Sequence, residues 1–395
     1  MKLISIPRFE DYRIDAIFNC YKWDPQFSDA ITLSQFALVI TKKEKEELFK
    51  MTELLDKETI LAEEFINKNP SLIKALDIPK KIRKNLKLMN NYDSNNNVRL
   101  NRYDFHMTKE GWKISEVNSD VPGGFAESSL LPKLAIKYLG KYQSIDFLDI
   151  YSKALAKKFK KGTIMFVHCT SYYDDRQVMQ AIGDKMSYLG FTSLYGASDH
   201  IEFKDNYAYS ILDGYKTKLD GIVRFTPIEW LKDMKIKGWG GYFNTLTPSS
   251  NHPIAIYAQT KKFPFIWDDL EKLGINLPTW KKLLPQTTSI KNIPSNTEVI
   301  YKPAWGRVGE KISLKDGCSE YEYKKIIQDV HKHPNNYVAQ AKFTSIPLLG
   351  PDKNNYHLCL GSFAVNGQPA GFYARISKKV RIDSTAIDIP VLIEE

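Results

Sequence analysis

Two carboxylates, an arginine and a carboxamide alternate along a stretch with the pattern of a β-hairpin. Arg102 and Asp104 share one face of the first predicted strand, and Glu116 and Asn118 share one face of the second. Hard oxygen ligands of this kind suit Mg²⁺, which leaves other positions for water and phosphate oxygens. The hairpin therefore indicates half of a site for a nucleoside triphosphate.

The register of this hairpin depends on its turn. If Thr108 pairs with Trp112 across a three-residue loop ending at Gly111, the two carboxylates face each other and the arginine faces the carboxamide. A slip of one residue would turn half of the cluster away. The alternative is a surface hairpin with charges on its solvated face. The Pro-Gly-Gly in residues 121–125 favours a site, because such a segment brings backbone close to a ligand and leaves amide N–H groups free.

A second set of candidates follows a strand predicted at residues 299–302. This strand delivers Lys302, and the glycine-bearing loop after it presents Arg307, so both cations could neutralise a triphosphate under the loop. The loop is neither a Walker A motif nor GxGxxG, and the alternative is an exposed basic turn. Gln340 ends a later strand, where it could meet the adenine or ribose or make a structural hydrogen bond. Arg375 ends a hairpin with an Asn-Gly turn, where arginine could clamp a phosphoryl group.

The elements that must position these residues follow three patterns. Residues 1–95 are mostly helical, residues 163–240 alternate strand and helix as in an α/β layer, and the last hundred residues are rich in strands. Helices are predicted at 41–55, 58–67, 70–86, 131–139, 145–159, 174–189 and 263–273. Strands are predicted at 163–169, 191–195, 221–225, 299–302, 337–343, 357–365 and 370–376.

Composition restricts the class of protein. A length of 395 residues predicts two or three lobes, and 43% hydrophobic with 26% charged residues is typical of a soluble globular protein. The apolar runs fall short of a membrane span of about 18 residues, and the N-terminus lacks a secretory signal. Scattered cysteines without zinc spacing indicate a reduced, cytoplasmic protein. The net charge of +10 permits polyanion binding, but lysine is spread along the chain, which disfavours nucleic acid as a partner.

The order of these motifs resembles a known family. Arg-x-Asp, Glu-x-Asn, Lys-Pro-x-x-Gly-Arg-x-Gly and a late Gly-x-Phe-x-Val-x-Gly-x-Pro-Ala-Gly-x-x-x-Arg follow each other as in the C-terminal synthetase domain of glutathionylspermidine synthase, over residues 95–390. Residues 224–231 and the lysine-bearing segment before a tryptophan helix resemble further family positions. The resemblance implies an α/β (α+β), ATP-grasp-like fold, with an α/β substrate lobe inserted into or preceding the core and a helical N-terminal segment. It also implies ATP and Mg²⁺ as cofactors.

Carried over residue by residue, the resemblance implies a role for each candidate. Mg²⁺ would be held by Asp104, Glu116 and Asn118, while Arg102 would contact the γ-phosphate or an acyl phosphate. The ATP phosphates would be held by Lys302 and by Lys261, with the adjacent Lys262 as the alternative; Arg307 would ride on a mobile loop and Arg375 would stabilise the acyl phosphate. Candidate substrate residues are Asp120, Gly123, Gly124, Asp174, Asp175 and Glu229, of which the adjacent aspartates match an acidic pair near the family's amine pocket.

Two departures from the family pattern are visible. Residues 1–95 are too short and helical for the amidase domain of the bifunctional enzymes. The segment after Asn118 reads Ser-Asp-Val-Pro-Gly-Gly, where the family more often has Ala-Asp-Thr-Pro-Thr, so glutathione is the least supported part of the resemblance. The predicted division is a helical segment at 1–95, the metal-binding hairpin and helices at 96–160, a substrate lobe at 161–255 and a nucleotide-binding region with a mobile lid loop at 256–395.

The leading prediction is an ATP-dependent ligase that joins a carboxylate to an amine through an acyl phosphate. The second is a ligase of the same fold acting on another amino acid or peptide and a different amine, and the third is a non-catalytic basic protein that binds polyanions. The partners expected of the ligase are a small peptide-like acid and an amine. The sequence indicates neither the identity of these substrates nor the oligomeric state.

Overall fold

A six-stranded antiparallel sheet carries the predicted metal-binding hairpin. The computed structural model of the protein describes residues 1–23, 25–27, 30–89, 92–160, 162–234, 238–307 and 309–394. The strands of this sheet, in spatial order, are Ile387–Ile389, Gln368–Ser377, Asn355–Val365, Leu100–Thr108 and Gly111–Asn118, with Leu348–Leu349 pairing beside Asn355–Val365. The strand predicted at 357–365 therefore pairs directly with the hairpin, and the strand predicted at 370–376 lies one strand further out.

The register of the hairpin agrees with the prediction around the site and differs at the turn. Asp104 pairs with Glu116 and Arg102 pairs with Asn118, as predicted. The turn is shorter than predicted, because Thr108 pairs with Gly111, which adopts a φ of 96°. The strand pairing is irregular between Asp104 and Phe105, and this irregularity compensates for the shorter turn. The residues nearer the site therefore pair as predicted.

The helix Lys42–Lys68 packs on this sheet, against Asn355–Val365 and Gln368–Ser377. A capping box begins it, since Thr41 Oγ1 accepts from the amide of Glu44 and the Glu44 carboxylate accepts from the amide of Thr41. Helices predicted at 41–55 and 58–67 are one helix, because its buried residues continue at helical spacing through the junction. The prediction at 70–86 splits into the 3₁₀ turn Leu72–Lys74 and the helix Lys80–Lys87, which begins after a proline.

A four-stranded parallel sheet forms the predicted α/β layer. Its spatial order is Ser249–Ser250, Gly221–Arg224, Thr163–Val167 and Thr192–Gly196, with the helix Tyr173–Tyr188 connecting the last two. A separate three-stranded antiparallel sheet contains Thr287–Thr288, Tyr337–Ala341 and Val299–Pro303. The helix Glu320–Lys332, which the sequence patterns did not predict, packs beside it through Ile326, Val330 and Tyr337.

A fourth sheet joins early and late parts of the chain. Lys2–Ser5 pairs antiparallel with Phe36–Ile40, which pairs in parallel with Val391–Glu394, and Tyr142–Gln143 closes the other edge. Residues 1–95 therefore contribute strands as well as helices. These short apolar runs were not predicted as strands because their partners lie far away in the sequence. The division into four regions stays a prediction.

The remaining elements are short or connect these sheets, and the fold as a whole is mixed α/β (α+β). The further helices are Phe9–Asn19, Phe125–Leu139, Phe147–Phe159, Gly241–Asn244, Ile256–Gln259, Trp267–Lys272 and Pro278–Leu283. The further strands are Gln26–Phe27, Ala30–Ile31, Ile201–Lys204, Tyr207–Ser210 and Thr217–Lys218.

Candidate active site

The arginine and the first carboxylate of the hairpin form a two-pronged ion pair. Arg102 Nε donates to Asp104 Oδ1 at 2.8 Å and Nη2 donates to Asp104 Oδ2 at 3.0 Å. Asn118 Nδ2 donates to the same Oδ2 at 3.0 Å, and Arg102 Nη1 reaches the carbonyl oxygen of Gly123 at 2.9 Å. These side chains therefore lie in one patch, as the sequence predicted, and the backbone carbonyl of Gly123 joins them.

The second carboxylate lies among lysines. Lys261 Nζ is 3.0 Å from Glu116 Oε2 and donates to the carbonyl oxygen of Gly306 at 2.6 Å. Burial alone would raise the pKa of Glu116, but Lys261 and Lys302 outweigh it and lower the pKa to about 2. Burial lowers the pKa of Lys302 to about 8, and its Nζ donates to the carbonyl oxygen of Ser115 at 3.1 Å. At neutral pH the cluster is therefore one carboxylate facing two cations.

The structure separates the two candidate lysines at 261 and 262. Lys262 Nζ turns away to Asp77 Oδ2 at 2.7 Å and the carbonyl oxygen of Asn335 at 2.6 Å, whereas Lys261 faces Glu116. Sequence alone left this choice open because the two residues are adjacent. The geometry selects Lys261 as the lysine that faces the carboxylate.

A small pocket with a volume of about 30 Å³ opens beside this cluster. Its polar end contains Glu116 and Lys261, and its apolar wall is formed by Phe263, Pro264, Val117, Trp280, Ala258 and Leu284. Gln340 also lines it, with Nε2 donating to Thr287 Oγ1 at 3.0 Å and with a buried Oε1 that has no partner among the described residues. An apolar pocket with a polar group at its edge and charges at one end has the character of a nucleotide site.

Arg375 lies on Gln368–Ser377, which the strand Asn355–Val365 separates from the hairpin, and its half-buried side chain has spare donors. In the described part of the chain its Nε has no hydrogen-bond partner, and its Nη1 makes a long bond of 3.3 Å to the carbonyl oxygen of Asp383. Burial alone would lower the pKa of Arg375, but Tyr373 and Cys359 raise it. Arg375 therefore remains a cation with hydrogen-bonding capacity for an anionic ligand.

Arg307 is joined to Glu229 rather than to the carboxylate–lysine cluster. Its Nε and Nη2 donate to Glu229 Oε1 at 3.0 and 2.7 Å, while Glu229 Oε2 is buried without a described partner. Val308, the next residue of the predicted lid loop, lies outside the described residues. Arg307 is thus held beside the α/β layer in this structure.

The acidic pair lies in the first turn of the helix Tyr173–Tyr188. Asp174 is exposed, and Asp175 accepts a hydrogen bond from the amide of Cys169 at 3.2 Å. Burial and Asp174 raise the pKa of Asp175 to about 7, whereas the nearby Arg307 acts in the opposite direction. The acidic pair, Arg307 and Glu229 therefore belong to one electrostatic neighbourhood.

Asp120, a candidate substrate residue from the sequence, is enclosed beneath the site. Its carboxylate is paired with Arg224, whose Nη1 donates to Oδ2 at 3.2 Å and whose Nη2 contacts Oδ1, and it also accepts from the amide of Ile228 at 2.8 Å. Burial alone would raise the pKa of Asp120, but Arg224 outweighs it and lowers it. No local signal indicates this pairing, because the partner arginine lies about a hundred residues later. Asp120 holds the α/β layer to the hairpin.

Gly124 approaches an aromatic ring closely, whereas Gly123 lies at ordinary contact distance from another. A Cβ added at Gly123 would lie 3.4 Å from Phe225 Cζ, and one added at Gly124 would lie 2.6 Å from Tyr373 Cδ2. Gly124 also has a φ of 91° and precedes the helix Phe125–Leu139. The rings of Phe225 and Tyr373 occupy the space beside the backbone at these two positions.

Sequence reasoning missed the polar groups that hold the segment after Asn118. Gln259 Oε1 accepts from the amides of Ser119 and Asp120, both at 2.9 Å, and Asn251 Nδ2 donates to their carbonyl oxygens at 3.1 and 2.8 Å. Asn251 stands in the polar segment 249–252 and Gln259 ends the apolar run 253–258, so neither position has a distinctive sequence signal. These bonds fix the chain immediately beyond the metal candidates.

The donor set fits Mg²⁺ in chemistry. Asp104 and Glu116 supply carboxylates and Asn118 a carboxamide, all from paired positions of one hairpin. Within the part of the chain that the structure describes, no three His, Cys, Asp or Glu side chains gather as a metal group. Such a site needs further oxygens from phosphate and water.

The mixed sheets and the clustered carboxylates, lysines and arginines define an ATP-grasp-like synthetase architecture. A glutathione synthetase-like effector from Globodera pallida, solved in its apo form, superposes with a TM-score of 0.67 at 12% identity, over 98% of this chain and 96% of that chain. The chain belongs to the glutathionylspermidine synthase pre-ATP-grasp family, whose model matches residues 20–394.

Other comparisons add little. A putative gamma-glutamylcysteine synthetase from Methylobacillus flagellatus KT aligns at 12% identity over 85% of this chain and 86% of that one, with a TM-score of only 0.35. No curated protein sequence matches the chain. No helix among the described residues is long and apolar enough to cross a membrane.

Proposed function

We propose that this protein is an ATP-dependent ligase that joins a carboxylate to an amine through an acyl phosphate, as a glutathionylspermidine synthetase-like enzyme. The observation that carries the proposal is the meeting of Asp104, Glu116 and Asn118 with Arg102 and Lys261 on one hairpin face. In phosphoryl transfer, a metal ion and nearby cations neutralise the charge on the phosphates, and paired metal ligands beside cations can supply both. Family membership supports the same reading.

The nucleotide would lie across the cluster and the pocket beside it. Asp104, Glu116 and Asn118 would hold Mg²⁺, which supplies charge neutralisation at the phosphates. Lys261 and Lys302 would bind phosphate oxygens, and the apolar wall would receive the adenine, with Gln340 at its edge. Lys261 pairs with Glu116, and nucleotide binding would exchange that ion pair for a phosphate contact.

The chemistry proceeds in two steps. An oxygen of the substrate carboxylate attacks the γ-phosphorus of ATP, the bond to the β–γ bridging oxygen breaks, and ADP leaves from the acyl phosphate. The amine nitrogen then attacks the acyl carbon, phosphate departs with the bonding electrons, and the amine loses a proton. Arg102, which is buried, and Arg375, which is half-buried, would neutralise the transferred group in both steps.

Arg307 and the acidic residues would serve the second step. We infer that Arg307 leaves Glu229 when substrates bind and covers the acyl phosphate, because water would otherwise hydrolyse it. Asp174, Asp175 and the released Glu229 would then face a cationic amine. This exchange would couple closure of the loop to binding of the amine.

A second candidate keeps the fold and the mechanism but changes the acid. The rings of Phe225 and Tyr373 fill the space beside Gly123 and Gly124, in the segment that departs from the family pattern. This aromatic environment favours a peptide or amino acid other than glutathione as the acyl donor, with a different amine as a further possibility.

Mass spectrometry of the protein with Mg-ATP, glutathione and spermidine, alongside a pool of other acids and amines, tests these candidates. A glutathione–spermidine amide with stoichiometric ADP supports the first candidate. ADP formed only with another acid–amine pair supports the second. The proposal fails if no combination yields ADP, and a steeply salt-dependent affinity for polyanions would then indicate the third prediction, a non-catalytic binding protein.

A further inference from the structure

A chain of buried contacts connects Arg102 to the N-terminal part of the molecule. The Arg102 guanidinium carbon lies 4.8 Å from the centre of the Tyr373 ring. Tyr373 Oη donates to Asp388 Oδ1 at 2.7 Å, and Lys22 Nζ lies 2.8 Å from Asp388 Oδ2. Lys22 is 2% exposed and also contacts Glu127 Oε1 at 3.2 Å. Of the residues in this series of contacts, only Arg102 belongs to the proposed catalytic set.

Hydrogen bonds alone fix only part of the arginine's position. Asp104 and the carbonyl oxygen of Gly123 use three of the five N–H donors of Arg102. The N–H groups of a guanidinium point outward in its plane, so these bonds provide no contact on its face. The Tyr373 ring attracts the cation through its π electrons. The ring therefore adds a restraint of a kind that the hydrogen bonds do not supply.

The ring itself is held from two sides. Gly124 packs against it so closely that an added Cβ would lie 2.6 Å from Tyr373 Cδ2. At the other end, Asp388 is fixed by its backbone, since its amide donates to Thr32 at 2.7 Å and its carbonyl oxygen accepts from Ser34 at 2.8 Å. Lys22 bridges Asp388 to Glu127, in the first turn of the helix that follows Gly124.

We propose that Tyr373 is a positioning residue for Arg102, and that Asp388 and Lys22 hold Tyr373 in place. The inference rests on the proposed function, in which Arg102 contacts the γ-phosphoryl group. Tyr373 acts through the arginine, so its loss weakens binding of a triphosphate much more than binding of a diphosphate. The segment around Lys22 thereby helps to position Arg102, although it lies outside the proposed substrate site.

The test compares nucleotide affinities by isothermal titration calorimetry on the full chain. The probes are Mg²⁺ with the non-hydrolysable β,γ-imido analogue of ATP, and Mg²⁺ with ADP. We expect Tyr373→Leu to reduce the preference for the triphosphate about tenfold, as loss of a largely desolvated cation–π contact implies. Tyr373→Phe keeps the ring and removes only the hydroxyl, and Asp388→Asn weakens its anchor, so both are expected to fall between wild type and Tyr373→Leu.

Tyr356 offers a matched control in the same sheet. Its hydroxyl donates to Asp352 at 2.8 Å and Lys378 Nζ lies 5.7 Å from its ring, so Tyr356→Leu removes a similar set of contacts outside the proposed site. We expect that variant to keep the wild-type preference. Thermal unfolding midpoints of all variants identify any that fail to fold. If Tyr373→Leu does not fold, the nucleotide preference of Tyr373→Phe decides instead.

The two possible failures are distinguishable. If wild type binds neither nucleotide, the proposed function fails and this inference falls with it. If wild type prefers the triphosphate and Tyr373→Leu keeps that preference within about twofold, only the inference is overturned. An equal loss of both affinities in Tyr373→Leu would also overturn it, since that pattern marks a general structural effect.

Discussion

Replacing Glu63 by glutamine tests how the fold holds the candidate metal site. Glu63 lies on the helix Lys42–Lys68 and forms a two-pronged pair with Arg99, with Nε to Oε2 at 2.8 Å and Nη2 to Oε1 at 2.6 Å. Arg99 also donates to the carbonyl oxygen of Ser119, the residue after the metal candidate Asn118. The pair thus connects the main helix to the end of the hairpin.

The expected cost follows from burial. The side chains of Arg99 and Glu63 are 9% and 2% exposed, so Glu63→Gln leaves a guanidinium without its counter-ion in a site nearly free of water. Removing one partner of a buried pair destabilises a protein by about 3–5 kcal/mol. The same helix provides the control, because the pair of Glu53 with Lys57 is 36% and 57% exposed. Glu53→Gln should cost at most about 0.5 kcal/mol.

Urea unfolding followed by tryptophan fluorescence measures both variants. Trp280 donates to Thr59 on this helix, so its emission reports the packing of the helix against the rest of the molecule. We expect a large fall in the urea midpoint for Glu63→Gln and almost none for Glu53→Gln. Equal midpoints would refute the reasoning that the buried pair holds the hairpin, and the segment after Asn118 would then depend on its amide contacts alone.

Further predictions concern activity with the substrate pair that turns over. Glu116→Ala should abolish ADP formation because it removes a metal ligand, and unchanged turnover would exclude Glu116 from the site. Arg307→Ala should raise ADP release relative to amide formation, measured in the same sample, because the acyl phosphate becomes open to water; a constant ratio would contradict a water-excluding role. The pKa of Asp175 is raised to about 7, so its negative charge develops as pH rises through that value. The KM for a cationic amine should therefore fall between about pH 6 and 8, and a pH profile in Asp175→Asn that keeps this slope would assign it to another group. Gly361→Ala places a Cβ 2.7 Å from Arg102 Cδ. It should lower kcat at an unchanged affinity for ADP, and an unaffected kcat would show that the arginine can shift without loss.

Much of the hairpin could be predicted because its information is local. Alternation along two adjacent strands was enough to pair Asp104 with Glu116, and the structure confirms that pairing. The predicted length of the turn was wrong, because two-residue and three-residue loops both accept a glycine. An irregularity in the pairing of the two strands compensates for the missing loop residue. Local pattern thus determined which residues meet but not how the chain turns between them.

Contacts between distant segments could not be predicted. Nothing near Asp120 indicates that Arg224 will enclose it, and nothing near Tyr373 indicates Asp388 or Lys22. These partners are selected by the packing of separate sheets, which leaves no periodic trace in one sequence. The roles assigned to the site residues accordingly stay predictions, although most of the side chains lie together.

The pairing of Phe36–Ile40 with Val391–Glu394 has a consequence for synthesis of the chain. The two strands are about 350 residues apart, so at about 5–20 residues per second the earlier strand waits roughly 20–70 s for its partner. During that time only Lys2–Ser5 can cover one edge, and the other edge of an entirely apolar strand stays open. The nascent protein therefore passes through a stage in which it can aggregate, and the Asp388 anchor of Tyr373 is completed only after this late part of the chain has been synthesised.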